Sequence, residues 1–179
     1  MESLRNIFLV ILSSLLFINP LKTEVKRESI ILKKEEKKVE LPPPVIKELI
    51  NYVGYLEIPK INFRHGFFDT MDQNNTINKG LEVSNMSIMP GEKDSLVIIT
   101  GHSGYGKNAI FSNLNKLKRE DKLIIQYNNQ VHTYEVKEIV SILKGTLKVR
   151  RLENKNQLVL VTCDPLNDNN NLVIIGIDK

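Results

Sequence analysis

QLVLVTC, residues 157–163, sets four consecutive aliphatic residues ahead of a threonine and the only cysteine of the chain. An apolar run this short, partly β-branched, reads as a core strand. SLVIITGH, residues 95–102, has the same form and stops at His102. Two such strands lying side by side would deliver a thiol and an imidazole to one rim. That pair can generate a thiolate nucleophile and protonate a leaving amine. Spacing alone leaves the alternative open, an inert buried cysteine and a satisfied surface histidine.

Working outward, the chain after residue 50 is mostly short β-branched runs with turn signals between them: YVGYLEI (52–58), KLIIQY (122–127), QVHTYEVKEIVSIL (130–143) and NLVIIGI (171–177). Asn128-Asn129 marks a tight hairpin, because Asn tolerates positive φ. Two helical patches are expected. One covers 72–81, with Asp72 as N-cap; the other covers 108–117, where Ile110, Phe111, Leu114 and Leu117 share a face. Many strands with few helices predict an all-β closed barrel. In the alternating run 130–143, His132 is expected to face the surface.

The 179 residues divide by composition. Residues 4–21, LRNIFLVILSSLLFINPL, form an apolar run suited to a signal anchor or transmembrane segment over 1–21, with the rest of the chain outside. Lys22, Lys26 and Arg27 just beyond it weigh against that orientation. The competing reading is a buried helix of the domain. A polar stalk follows over 22–50 and contains Leu41-Pro42-Pro43-Pro44-Val45, which favours stiff extended backbone. One catalytic-sized domain is expected over 51–179.

The net charge of +4 is concentrated in 22–38, so it argues against nucleic acid and for a tract attracted to anionic lipid or wall polymer. A single Cys163 excludes an intrachain disulfide and a multi-cysteine metal cluster. GHSGYG (101–106) lacks the Lys-Ser/Thr ending of a phosphate loop. No cofactor and no metal are expected, and no dense acidic cluster supports calcium.

LVLVTC at 158–163 resembles the Thr-Leu-x-Thr-Cys signature of the sortase family, with Leu158 or Val159 in place of the first Thr. VIITGHSGYGKNAIFSNLNKLKREDKL (97–123) is similar to that family's segment around its histidine, and YLEIPKINF (55–63) to its opening strand. The resemblance runs over about 52–177, closest in pattern to class D or class A-like members. It implies a closed eight-stranded β-barrel with two or three short helices and a groove for a Leu-Pro-x-Thr-Gly-like sorting signal. Cys163 would attack the Thr carbonyl to form an acyl-thioester, and His102 would protonate the departing amine. An amine acceptor of the cell wall, such as a peptidoglycan precursor, would then resolve the thioester.

Where the family carries an arginine, before the last strand, this chain has Asn171. Three readings stay open: Asn171 serves as the third catalytic residue, Arg150 or Arg151 reaches the substrate from the preceding loop, or activity is reduced. An amide donates to an oxyanion more weakly than a guanidinium. Thr162 is a candidate substrate contact, with a role in the sheet as the alternative. By order along the chain, loop 144–156 would line the sorting-signal pocket, and 164–170 would form the other wall and choose the acceptor. The absence of an Asp-Pro-aromatic lid over 41–51 argues against a pilus-polymerising version. The functional alternatives are a weakened peptide-binding module and a hydrolysing cysteine peptidase.

Overall fold

The computed structural model describes residues 50–178. The expected anchor over 1–21 and nearly all of the stalk, 22–49, lie outside the described residues. Among the described residues, no helix is long and apolar enough to cross a membrane.

Among the described residues eight strands follow in order: β1 (Gly54–Ile58), β2 (Phe63–Phe67), β3 (Glu82–Val83), β4 (Leu96–Thr100), β5 (Lys122–Tyr127), β6 (Gln130–Leu143), β7 (Gln157–Cys163) and β8 (Asn170–Asp178). They form one sheet in the order β2-β1-β5-β6-β8-β7-β4-β3. The expected closure is therefore incomplete. The barrel is nearly closed, with β2 and β3 as its two edges and no ladder between them among the described residues. Gly80, just ahead of β3, lies against His65 of β2: a Cβ added there would sit 2.8 Å from the imidazole.

The sequence-derived strands appear within two residues of their expected bounds, and Asn128 and Asn129 turn the β5–β6 hairpin with φ of 48° and 60°. β2 and β3 were not anticipated. FRHGF offers only partial alternation, and β3 has two residues. The two expected helices shrink to 3₁₀ turns at Ile77–Lys79 and Leu114–Lys116, with a third at Pro59–Ile61. Asp72 instead closes a turn, its Oδ1 accepting from Asn74 N at 2.7 Å. Phe111, Leu114 and Leu117 are all buried in the barrel core, so the apolar face predicted for a helix is satisfied by a wound loop.

Two apolar clusters explain why β4 and β7 are aliphatic on both faces. Val97, Ile99, Leu158 and Leu160 point into the barrel with Leu56, Leu123, Tyr134 and Ile174. Leu96, Ile98, Val159 and Val161 point outward, where Leu147 and Val149 of the β6–β7 connection cover them with Val173 of β8. His132 departs from expectation. It falls on the same side of β6 as the buried Tyr134 and Val136, is only partly exposed, and its Nε2 is buried without a hydrogen-bond partner.

Candidate active site

β4 and β7 are the parallel pair of the barrel, joined in the register Thr100↔Val161. Parallel neighbours end at the same rim, which is how two strands far apart in sequence bring their last residues together. The offset of the ladder, carried two residues further, sets His102 level with Cys163. Three bonds extend the pairing past the strands. Gly101 N donates to Val161 O at 3.1 Å, Thr162 Oγ1 donates to Gly101 O at 2.8 Å, and Ser103 Oγ donates to Cys163 O at 2.8 Å. The two hydroxyls flank the His–Cys pair and lock its register.

Strand alternation places Cys163 on the outer face with Val159 and Val161, and its side chain is exposed. His102 falls on the same face as Ile98 and Thr100. Its Nε2 lies 3.4 Å from Asn78 Oδ1, which can only accept, so Nε2 is the donor. Nδ1 makes no hydrogen bond among the described residues and is the nitrogen open to proton exchange.

Asn171 pairs directly with Cys163 across β7 and β8. Asp164 N donates to Asn170 O at 3.1 Å, so the next pair, Cys163 and Asn171, is a non-hydrogen-bonded one. Such pairs bring Cα atoms to about 4.5 Å, with side chains on one face in contact range. The Asn171 amide makes no side-chain hydrogen bond among the described residues and is free to donate. Asp164 braces the turn that follows: its carboxylate, 7% exposed, accepts from Ser141 Oγ and, at 2.9 Å, from Leu166 N.

The other sequence candidates lie elsewhere. Thr162 is 2% exposed and points inward, its hydroxyl committed to Gly101 O, so it joins the strand ends and does not meet the groove. Arg151 is drawn to the start of β4, the end away from His102, where Nε donates to Asp94 O at 2.5 Å and Nη2 to Lys93 O. Arg150 lines a second hollow, beside Lys137, Glu138 and Val140 of β6, on the other side of Leu147, Lys148 and Val149 from the groove over β4 and β7.

A groove of about 730 Å³ runs along the outer face toward Cys163, with Leu96, Ile98, Thr100 and Val161 as its floor. Leu147, Lys148 and Val149 form one wall and Ser84 to Met86 the other. Lys148 is the one Lys or Arg of that lining, and it was not singled out from the sequence, where a lysine in a basic loop carries no signal. Asn78 and Ser103 were also missed, since only the fold brings Asn78 to His102 and Ser103 to Cys163. Among the described residues no group of His, Cys, Asp and Glu could hold a metal ion.

A sequence profile of the Sortase domain matches residues 56–177. The chain is 25% identical to Sortase A of Staphylococcus aureus (strain NCTC 8325 / PS 47) over 140 residues, which span 75% of this chain and 66% of that protein. It is 21% identical to Sortase A of Bacillus anthracis over 126 residues, 70% of this chain and 59% of the relative. The aligned stretch thus spans less than two thirds of either relative. Among solved structures, a lid mutant of Sortase A from Corynebacterium diphtheriae superposes with a TM-score of 0.65 at 27% identity, covering 72% of this chain and 70% of that one. Sortase C of Streptococcus pneumoniae superposes with a TM-score of 0.65 at 24% identity, covering 74% and 70%, a likeness of fold alone. Because the profile covers well over half of the chain and takes in His102, Cys163 and Asn171, this chain belongs to the sortase family.

Proposed function

We propose that this protein is a cysteine transpeptidase that cleaves a Leu-Pro-x-Thr-Gly-like sorting signal and passes the acyl group to an amine of the cell wall. The observation that carries the reading is the rim itself: Cys163 and His102 level with each other on parallel strands, and the free Asn171 amide directly across from the thiol. The groove reaches Thr100 and Val161, two residues short of His102 and Cys163, so a peptide lying over Ile98 and Val161 and continuing along the strands brings a carbonyl to Sγ.

In the first half-reaction the Cys163 thiolate attacks the Thr carbonyl carbon. Asn171 Nδ2–H donates to the oxyanion that forms. As the C–N bond breaks, His102 Nδ1–H protonates the leaving Gly amine, which leaves a thioester and a neutral imidazole. In the second half-reaction an incoming amine attacks the thioester carbon, its proton passes to His102, and the C–S bond breaks to restore the thiolate. Asn78 holds Nε2 meanwhile, so one ring nitrogen handles both transfers. Residues 1–21 act as the membrane anchor in this reading, with the catalytic domain outside the cell.

The test incubates the detergent-solubilised full chain with a Leu-Pro-x-Thr-Gly peptide library, without and with triglycine, and follows Cys163 by intact-mass spectrometry. A thioester that triglycine resolves into a transfer product supports the proposal. It should be absent from Cys163→Ala and His102→Ala. Free acid alone, unaffected by triglycine, would mark a hydrolysing peptidase. Peptide binding without any thioester would mark a binding module, the reading that the neutral Asn171 favours.

A further inference from the structure

Two cavities lie near the ends of β4 and β7. The groove over β4 and β7 does not include His102. An open cavity of about 550 Å³ does, lined by His102, Ser103, Tyr105, Lys107 and Asn108 from the connection between β4 and β5. Among the described residues no acidic side chain lines it. Lys107 makes no ion pair or hydrogen bond among the described residues. Tyr105 is fully exposed between Gly104 and Gly106, whose φ values are 101° and 112° and which have nothing within 4 Å of an added Cβ. Ser103 and Asn108 are tied to Cys163 O and Asn78 O, whereas the Lys107 ammonium and the Tyr105 ring make no hydrogen bond, ion pair or ring contact among the described residues, although they share the cavity with the imidazole.

We infer that this cavity is the subsite for the acyl acceptor, and that it takes an amine carrying a carboxylate or another anionic group within a few residues of the nitrogen. The inference rests on the transpeptidase reading above. Once Cys163 holds the acyl group, the groove is occupied on the side of Thr100 and Val161. The amine must reach the thioester carbon from the uncovered side and must touch His102 to give up its proton, so its binding site has to border the imidazole. The amine lone pair forms the new C–N bond, the C–S electrons return to Cys163, and the amine proton moves to His102 Nδ1.

Lys107 shapes which acceptor fits. Its ammonium attracts an anionic group on the acceptor. It also disfavours the protonated form of a nearby amine, which raises the fraction present as the free-base nucleophile. The Tyr105 ring, standing free on its two glycines, offers a flat face to the acceptor backbone.

The experiment measures acceptor KM on the full chain, charged with a cleavable sorting peptide, for oligoglycines of two to four residues with either a free or an amidated C-terminus. Within each protein variant the ratio of amide KM to acid KM is independent of how much enzyme is folded. For wild type the ratio should be about two to five for the best-fitting length, the range of an exposed ion pair. It should fall to one in Lys107→Gln, invert in Lys107→Glu, and shrink in concentrated salt. A ratio equal in wild type and Lys107→Gln would overturn the inference. Absence of the Cys163 thioester in wild type is a separate result, and it would remove the transpeptidase reading together with this subsite.

Discussion

Replacing Asn171 by alanine removes the one free hydrogen-bond donor that faces the thiol across β7 and β8. Its place follows from the ladder. Asp164 and Asn170 share a backbone hydrogen bond, so Cys163 and Asn171 form the close, non-bonded pair, with their short side chains on one face. Loss of one preorganised oxyanion donor lowers kcat by about 10² to 10³, or roughly 2.7–4 kcal/mol of transition-state stabilisation. Because the Asn171 donor is neutral and only partly buried, the lower end applies: kcat/KM for transfer should fall about a hundredfold. Fold stability should barely change, since Asn171 keeps its strand pairing with Ile142. Asn171→Arg presents a charged donor from the same Cβ and should retain or raise the rate. Transfer would be followed by mass-resolved product formation, with urea unfolding run in parallel on each variant. A folded Asn171→Ala protein that keeps more than about a third of wild-type kcat/KM would refute the assignment and show that the oxyanion is met by another group.

Other consequences follow from the same geometry. Gly101→Ala sets a Cβ 2.7 Å from the buried Phe111 ring, one residue before His102. Overpacking there should cost about 1–3 kcal/mol in urea unfolding, and the shifted imidazole should lower transfer at least about tenfold; wild-type values for both would contradict the packing argument. The Asn78 contact to His102 is long, at 3.4 Å, and exposed. Asn78→Ala should therefore change kcat less than about fivefold, and a loss as deep as that of His102→Ala would show a larger role. Tyr134 is buried, and its hydroxyl meets the geometry of a hydrogen bond with no group among the described residues. Burial pushes its pKa up to about 12, with a partly offsetting contribution from Ser95 and a further rise from Asp178. The folded state thus holds the phenol proton more tightly than the unfolded chain does. Stability contributed by the neutral phenol is intact below about pH 10 and is lost between about pH 10 and 12, by roughly 2–3 kcal/mol. Urea midpoints at pH 9 and 11.5 should separate in wild type and converge in Tyr134→Phe; an equal alkaline loss in both would exclude Tyr134 as its source.

Much of the barrel was legible because its strands are local objects. KLIIQY, QLVLVTC and NLVIIGI carry their burial in their own composition, and two asparagines that accept positive φ announce the hairpin between β5 and β6. The misreadings have a common cause. Phe111, Leu114 and Leu117 have helical spacing, yet the core asks only that those side chains be inside, and a wound loop with one 3₁₀ turn delivers them. β3 is defined by its pairing with Ile99 and Thr100, not by its two residues. His132, a polar residue in an alternating run beside Thr133 and Tyr134, is expected outside, whereas the phase of β6 is set by Tyr134 and Val136 filling the barrel.

The sequence by itself determined that there are aliphatic strands ending at His102 and Cys163, that a single thiol is available, and that an asparagine stands where related chains carry an arginine. Only the tertiary structure decided that those two strands are parallel neighbours, which sets the imidazole level with a thiol about sixty residues away. It also draws Arg151 to carbonyls at the far end of β4 and leaves the Asn171 amide opposite Cys163. The reason is physical: side-chain periodicity records which face of a segment is buried, while strand partners and their register are chosen by the near-closure of the whole sheet around one core.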